Sequence, residues 1–281
     1  MGKILSIQSH VAYGYVGNKV ASFVIQRMGH EIIQIDNLQF SNHTGYDGGF
    51  GGEILSKNHV LSVFNGLNKN NLMDDVNYCI TGYLGDKNTA EATYEIIKAM
   101  KSKNKDFVYF CDPVMGDDFT HCFVKPEIRE ILSNKLICLA DVVKANHTEA
   151  QFLFSRDIDS ERGAMDFYDF LLQKTNNPNL KLIITSFMRG KQDHDDKKID
   201  NIMIKNDRIF YVSTELLNLH PLTCGTGDLV MALFASHVMS GRSDEDSLRE
   251  TILSTFEILK RGVENGATEM QLIKNQDCLR N

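Results

Sequence analysis

The chain has 281 residues, of which 42% are hydrophobic and 24% are charged, and its formal net charge at pH 7 is −7. These fractions of hydrophobic and charged residues are ordinary for a globular protein and exclude a disordered or fibrous one. The length suffices for one large hydrophobic core. The negative charge argues against a general binder of nucleic acid or membrane surfaces, which needs a concentrated basic patch. We therefore predict one globular domain, residues 1–281, that binds neither nucleic acid nor membranes.

Short β-rich runs alternate with amphipathic segments, a pattern typical of an α/β protein with a mostly parallel central sheet. The predicted strands are Lys3–Gln8, Glu31–Ile35, Val76–Thr81, Phe107–Cys111, Val142–Lys144 and Leu180–Thr185. The predicted helices are Asn18–Met28, Gly52–Asn68, Thr89–Ser102, Glu127–Leu132, Thr148–Phe154, Ser160–Thr175, Thr226–Ser240 and Asp244–Asn265. Residues 198–216 contain two alternating runs around Lys-Asn-Asp, which predicts an antiparallel hairpin.

The compartment is predicted from the cysteines and the N-terminus. The six cysteines contain no Cys-x-x-Cys pair, and most of them lie in apolar runs, so a reducing environment fits better than a disulfide framework. The N-terminus lacks the long apolar core of a signal peptide, and no apolar stretch approaches the length that crosses a bilayer. These features predict a cytoplasmic protein.

Polar residues directly after the predicted strands are candidate site residues, because ligands of parallel α/β sheets bind beyond the carboxyl ends of the strands. Asp112 and Asp117 could hold Mg²⁺ together with substrate phosphates, and an ordinary turn explains them equally well. Asn146 and Glu149 fit a helix N-cap with a capping box, and the same residues could face the water shell of a metal. The other such positions are Ser9-His10 and Gly82-Tyr83.

The charged run 189–200 is most simply a solvated loop, although its His194 and aspartates could bind a metal.

The string Gly225-Thr226-Gly227-Asp228 lies where a glycine-bearing turn passes into an apolar helix. Backbone N–H groups in such a turn, together with the helix N-terminus, form a site for an anion such as phosphate. Thr226 or Asp228 alone would cap the helix, and a carboxylate beside a bound phosphate is repelled by it. The arrangement makes sense if Asp228 takes a proton from a hydroxyl group that attacks phosphorus. Alone, so short a string is weak evidence for this chemistry.

Five blocks resemble the pyridoxal kinases, a family of the ribokinase-like superfamily of small-molecule kinases. They are IQSHVAYGYVGN, LQFSNHTGY, TGYLGDK, CDPVMGD and CGTGDL, in this order, and the resemblance runs from about Ile4 to Leu229. It implies a three-layer sandwich with a flap over the active site. It also implies a homodimer that uses ATP and a divalent cation such as Mg²⁺ to phosphorylate the 5′-hydroxymethyl group of pyridoxal, pyridoxine or pyridoxamine in vitamin B6 salvage.

The resemblance assigns roles to matching positions. On the vitamer side, Ser9 would contact the pyridine ring, Thr44 would contact its polar substituents, and Val16, Phe40 and Tyr83 would supply apolar surface. Gly225, Thr226 and Gly227 would form the anion hole, and Asp228 would be the general base.

On the nucleotide side, Asp112 and Asp117 would lie at the cation and triphosphate site. Asn146 and Glu149 would reach the nucleotide phosphates or Mg²⁺. The other implied contacts are Thr185 and Ser186 along the nucleotide and Leu219, His220 and Pro221 at the adenine. The loops 42–50 and 117–124 are candidate lids that exclude water from the reacting phosphate.

The chain departs from the family pattern at two positions. Lys144-Ala145 precedes Asn146 where the family usually has threonine and proline, and a lysine there could contact phosphate or displace the monovalent cation, K⁺ or Na⁺, that the family often uses. Phe123 stands where relatives often have tyrosine near the nucleotide. Neither departure affects the predicted base.

The sequence also distinguishes this function from three others. A hydroxymethylpyrimidine kinase would act on a similar ring and alcohol, but the blocks around Ser9 and Thr44 favour vitamin B6. A non-catalytic vitamer-binding protein would not need a base beside a phosphate site. A nicotinamide-dependent dehydrogenase is excluded because no Gly-x-Gly-x-x-Gly follows the first strand.

Overall fold

The computed structural model describes residues 2–117, 121–187, 198–219 and 224–279. The predicted α/β class is confirmed. The strands are β1 (Lys3–Val11), β2 (Glu31–Phe40), β3 (Gly52–Ile54), β4 (Tyr78–Thr81), β5 (Val108–Cys111), β6 (Gly116–Asp117), β7 (His121–Cys122), β8 (Val142–Asn146), β9 (Lys181–Phe187), β10 (Lys198–Lys205) and β11 (Arg208–Glu215). The helices are α1 (Asn18–Arg27), α2 (Lys57–Lys69), α3 (Lys87–Lys103), α4 (Pro126–Ile131), α5 (His147–Phe154), α6 (Glu161–Thr175), α7 (Thr226–Met239) and α8 (Asp244–Glu264).

The chain divides into two compact units. Unit 1 combines residues 1–107 with residues 217–281, and unit 2 consists of residues 108–216. Unit 1 is therefore built from both ends of the chain. The single domain expected over residues 1–281 stays a prediction.

The strands of unit 1 follow the order β4-β1-β2-β3. β1 pairs in parallel with both β2 and β4, whereas the short β3 runs antiparallel to β2. Ile4, Leu5 and Ile7 in β1 are completely buried. Every residue from Ile4 to Ser9 is buried, and such continuous burial is typical of a parallel strand that is covered on both faces.

The helices of unit 1 pack in two groups. α1 contacts α7, α7 contacts α8, and α2 and α3 pack against each other. This grouping is expected when helices cover the two faces of one sheet. α7 is apolar nearly all round and buries every residue from Leu229 to His237, as a central helix should.

Unit 2 has the strand order β11-β10-β9-β8-β5, in which β5, β8 and β9 are parallel. β10 and β11 form the predicted antiparallel hairpin. Its two turn residues, Asn206 and Asp207, have φ values of 49° and 59°. Positive φ at both positions is the mark of a type I′ turn, whose twist matches that of the paired strands.

The prediction of a helix over Gly52–Asn68 is wrong at its start. Residues 52–54 form β3 beside β2, and the helix begins only at Lys57, after the N-cap residue Ser56, whose hydroxyl accepts the N–H of His59. Gly52 has a φ of 117°, and a β-carbon there would overlap the carbonyl oxygen of Gln39. Gly52, predicted to begin a helix, instead permits the close pairing of β3 with β2.

Four strands end later than predicted, β8 at Asn146 and β9 at Phe187 by two residues each, and β1 and β2 by more. β1 continues to Val11 and β2 continues to Phe40, with a register irregularity between Gln8 and Ser9. Ser9 therefore lies inside β1 and not after it. In the described part of the chain, no helix has the length and apolar character that crossing a bilayer requires.

Candidate active site

The carboxylate of Asp228 lies in the first turn of α7, in unit 1. Its Oδ2 atom accepts a hydrogen bond of 2.7 Å from the backbone N–H of Gly17, at the start of α1. The carboxylate thus lies between this N–H group and the positive end of the α7 dipole. The predicted base is thus oriented by a turn at the other end of the chain.

The turn before α7 depends on Gly225, which has a φ of 84° and occupies the N-cap position. A β-carbon at Gly225 would overlap the carbonyl oxygen of Tyr15. Among the described residues no side chain caps this helix, so the first-turn N–H groups keep their capacity to bind an anion.

The prediction that Thr226 caps α7 is wrong. Thr226 is the first helical residue, and its buried hydroxyl oxygen has no hydrogen-bond partner among the described residues. The reason is that the left-handed turn at Gly225 takes the N-cap position, which moves the threonine into the helix.

Gly17 is packed against Ser9. Its φ is 56°, and a β-carbon there would overlap both the carbonyl oxygen and the hydroxyl oxygen of Ser9. The Ser9 side chain is therefore brought to the same turn that donates to Asp228. The sequence signal for this contact, a glycine shortly before a helix, was present but not used in the prediction.

Three residues predicted to supply apolar surface do lie together in unit 1. Val16 and Tyr83 pack against a buried cluster that contains Phe40, together with Val11 and Leu38. Burial raises the pKa of the Tyr83 hydroxyl above its usual value. Apolar side chains grouped in this way can pack against the face of a flat aromatic ligand.

Thr44 lies in the loop between β2 and β3 and is exposed. Two other residues of this loop are held by a carboxylate that the sequence did not single out. The Nε2 atom of His43 lies 3.0 Å from Oε1 of Glu269, and the hydroxyl of Tyr46 donates to the same oxygen at 2.5 Å. Contact with the Cys224 thiol and then with Glu269 raises the pKa of His43 to about 9. The loop is therefore tied to the segment after α8.

The pair of His43 and Glu269 makes the stability of the protein depend on pH. Because the pKa of His43 is raised from 6.5 to about 9, its protonated form stabilises the fold below pH 6.5, and this stabilisation is lost as pH rises through 9. In Glu269→Gln, we expect the loss of unfolding free energy between these pH values to shrink by about 1 kcal/mol, after allowance for solvent screening.

Urea denaturation of both proteins at either end of this pH range measures the difference. Glu264→Gln, an exposed residue at the end of α8, is the control and should follow the wild type. An identical pH dependence in Glu269→Gln and the wild type would show that Glu269 does not stabilise the protonated imidazole.

In unit 2, Asp112 directly follows β5 and is buried, with 1% of its surface exposed. Its Oδ2 atom lies 2.7 Å from Nζ of Lys144 on β8. Burial raises the pKa of Asp112, and the ammonium group of Lys144 acts against this. The other carboxylate oxygen, Oδ1, has no hydrogen-bond partner within the described residues.

Asn146 and Glu149 form the predicted capping box at the start of α5. Asn146 Oδ1 accepts the N–H of Glu149, and Glu149 Oε2 accepts the N–H of Asn146, at 2.8 and 2.9 Å. The box also binds the loop after β5, because Glu149 Oε1 accepts the N–H of Met115 and the Asn146 amide donates to the carbonyl of Gly116. Burial raises the pKa of Glu149 to about 7.

The remaining nucleotide-side candidates are distributed over both units. Thr185 pairs with Asn146 in the register of β8 and β9, and Ser186 follows it with a φ of 54°. Asp117 ends β6, which pairs with β7 in a short ribbon. Leu219 belongs to unit 1. Outside the described residues lie His220, Pro221, His194 and the lid residues 118–120.

No group of three or more histidine, cysteine, aspartate or glutamate side chains in the described ranges has the geometry of a metal site. A site built from protein ligands alone is therefore not seen in these ranges. Mg²⁺ in phosphoryl-transfer sites, however, usually binds one or two carboxylates together with substrate phosphates. The unpartnered oxygen of Asp112 fits such a role.

Comparison with known proteins identifies the family. The family model for phosphomethylpyrimidine kinase matches residues 67–272, more than half of the chain. A pyridoxal kinase of Rubrobacter xylanophilus is 32% identical over 276 residues, which cover 98% of this chain and 93% of that protein. A pyridoxal kinase of Leifsonia xyli is 30% identical over 279 residues, which cover 99% and 96%.

A solved structure of pyridoxal kinase from Leishmania donovani, in complex with ADP and pyridoxine, is 26% identical and superposes with a TM-score of 0.87. The match covers 99% of this chain and 94% of that one, and it confirms the ribokinase-like fold. Together with the two bacterial relatives, it identifies the chain as a kinase and a member of the pyridoxal kinase family.

Proposed function

We propose that this protein transfers the γ-phosphoryl group of ATP to the 5′-hydroxymethyl group of pyridoxal, and also of pyridoxine and pyridoxamine, in vitamin B6 salvage. The observation that carries the proposal is Asp228, a carboxylate oriented by the Gly17 N–H inside the first turn of α7. The names of the bacterial relatives and the ADP and pyridoxine complex of the Leishmania donovani enzyme support the substrate pair.

In the proposed reaction Asp228 accepts the proton of the 5′-hydroxyl group. The hydroxyl oxygen forms a bond to the γ-phosphorus, and the bond from that phosphorus to the β,γ-bridging oxygen breaks, so that ADP leaves with the electron pair. Negative charge on the transferred group is stabilised by the backbone N–H groups of Gly225, Thr226 and Gly227.

The vitamer would bind in unit 1. We assign the apolar contacts to Val16, Phe40 and Tyr83, because Val16 and Tyr83 pack against the buried cluster that contains Phe40. Ser9 would bind the ring from β1, where it packs against Gly17, and Thr44 would bind polar substituents from its exposed loop.

The groups that bind nucleotide and Mg²⁺ would come mainly from unit 2. Asp112, through its unpartnered Oδ1, and Asp117 would hold the divalent cation with the phosphates, and that cation would neutralise phosphate charge. Glu149 has both oxygens hydrogen-bonded to backbone N–H groups, so it would act on the metal through water. Further nucleotide contacts are proposed for Asn146, Thr185, Ser186, Leu219, His220 and Pro221.

The substrate assignment is tested by supplying Mg-ATP with each alcohol. Because the matched family model describes a pyrimidine kinase, hydroxymethylpyrimidine is the second candidate substrate. We expect pyridoxal to give a kcat/KM at least about tenfold higher, because a pocket that hydrogen-bonds one ring rejects another that lacks the groups. The measurements are ADP release and the absorbance of pyridoxal phosphate. A preference for the pyrimidine would overturn the substrate, and vitamer binding without ADP release would indicate a non-catalytic binding protein.

We further propose a cytoplasmic homodimer. The six cysteines, all within the described residues, form no disulfide bond, which fits a reducing compartment. The proposal of a dimer rests on the family resemblance. Light scattering on protein that elutes from a size-exclusion column measures the molecular mass in solution, and a mass of one chain would contradict the dimer.

A further inference from the structure

Lys144 is a buried cation next to a buried anion. Its side chain is 4% exposed, that of Asp112 is 1% exposed, and Nζ lies 2.7 Å from Oδ2. Removing both charges from water is costly, so such a pair persists only where the two groups compensate each other closely. The contact is therefore a buried ion pair inside unit 2. It differs from a surface ion pair, whose contribution to stability would be small.

The charge of Lys144 acts on more than one carboxylate. Glu149 is also buried and lies within electrostatic reach of the same ammonium group. Glu149 satisfies its oxygens with two backbone N–H groups, which carry no net charge. The ammonium group thus provides positive charge for an acidic pair at the proposed nucleotide side.

A monovalent cation does not fit beside this ammonium group. A second positive charge at Oδ2 of Asp112 would be repelled by Nζ, which lies 2.7 Å from that oxygen and already occupies the position of a bound cation. Threonine, the residue that the family resemblance implies at this position, is neutral and much shorter, so it would leave Asp112 to an external ion. We propose that the Lys144 side chain takes the place of K⁺ or Na⁺, so that this kinase, on the function proposed above, works without a monovalent cation.

The experiment compares wild type, Lys144→Thr and Lys144→Arg in chloride salts of K⁺, Na⁺ and tetramethylammonium. Each salt is used at about 100 mM, so that screening of exposed charges is equal. Two quantities are measured, the rate of vitamer phosphorylation and the temperature of thermal unfolding. The second reports cation binding without requiring activity, because a bound ion stabilises the folded state.

For the wild type we expect both quantities to be the same in the three salts, with rates that agree within about twofold. For Lys144→Thr we expect a rate at least about tenfold lower in tetramethylammonium, because a buried carboxylate has lost its partner. K⁺ or Na⁺ should partly restore that rate and raise the unfolding temperature of this variant alone. Lys144→Arg keeps the charge and should resemble the wild type.

Lys103→Thr is the matched control, since it removes the lysine from an exposed pair with Asp74 and should change neither quantity. A wild-type rate or unfolding temperature that rises specifically with K⁺ or Na⁺ would overturn the proposal, even if Lys144→Thr does not fold. Absence of turnover in every salt would instead refute the proposed function, and the unfolding temperatures would still decide whether the wild type binds the cation.

Discussion

Asp228→Asn should reduce kcat by about 10²–10⁴-fold while leaving the affinity for ADP nearly unchanged, because it removes a general base and little else. The amide oxygen of asparagine can still accept the N–H of Gly17, so the turn that positions residue 228 is retained. Steady-state phosphorylation of pyridoxal and calorimetric titration with ADP give the two quantities.

Asp246→Asn is a suitable control for this variant. It removes a carboxylate from the first turn of α8, as the test variant does for α7, but at an exposed site. Its turnover should equal that of the wild type. If Asp228→Asn keeps a rate within about threefold of the wild type, the general-base assignment is wrong.

Gly225→Ala should remove activity and also destabilise the protein, by at least about 3 kcal/mol of unfolding free energy. Two costs add at this position. The left-handed φ of 84° costs a non-glycine residue about 1–2 kcal/mol, and the new β-carbon overlaps the carbonyl oxygen of Tyr15. Movement of the turn to relieve the overlap would displace the N–H groups of the proposed anion hole.

Gly241→Ala separates these two costs. Gly241 lies just past the other end of α7 with a φ of 78°, and its β-carbon would meet nothing within 4 Å. It should therefore show only the backbone cost, about 1–2 kcal/mol in denaturant unfolding, and keep full turnover. Equal stability and equal turnover in the two variants would mean that the contact with Tyr15 is unimportant.

The fold could be predicted well where local patterns are strong. The buried runs, the amphipathic helices and the hairpin around Lys-Asn-Asp each follow from hydrophobic period and turn chemistry, and the structure has all of them. Gly52–Ile54 was misassigned because β3 is formed by pairing with β2, which no local pattern reports. The ends of β1 and β2 were placed too early for the same reason, since each strand is prolonged by its neighbour.

The site was predictable in its residue types and less so in its contacts. Asn146 and Glu149 form their capping box because both partners are only three residues apart. Other contacts join distant parts of the chain, namely the hydrogen bond from Gly17 to Asp228 and those between the loop 41–51 and Glu269. Glu269 is also not part of any recognisable motif. A single sequence gives no period or motif for such contacts. The roles assigned to the individual site residues stay predictions.

The bond between Gly17 and Asp228 spans 211 positions of the chain, and both residues belong to the unit that combines the two chain ends. During synthesis the N-terminal segment leaves the ribosome first, and residues 108–216 follow before any part of α7 exists. The hydrogen bond between Gly17 and Asp228 therefore cannot form until α7 has been synthesised. Closing so long a loop is slow, and we expect completion of unit 1 to limit the rate of folding. A chain that has not yet reached α7 would accordingly lack the proposed catalytic centre, and kinase activity would appear only after α7 has been made.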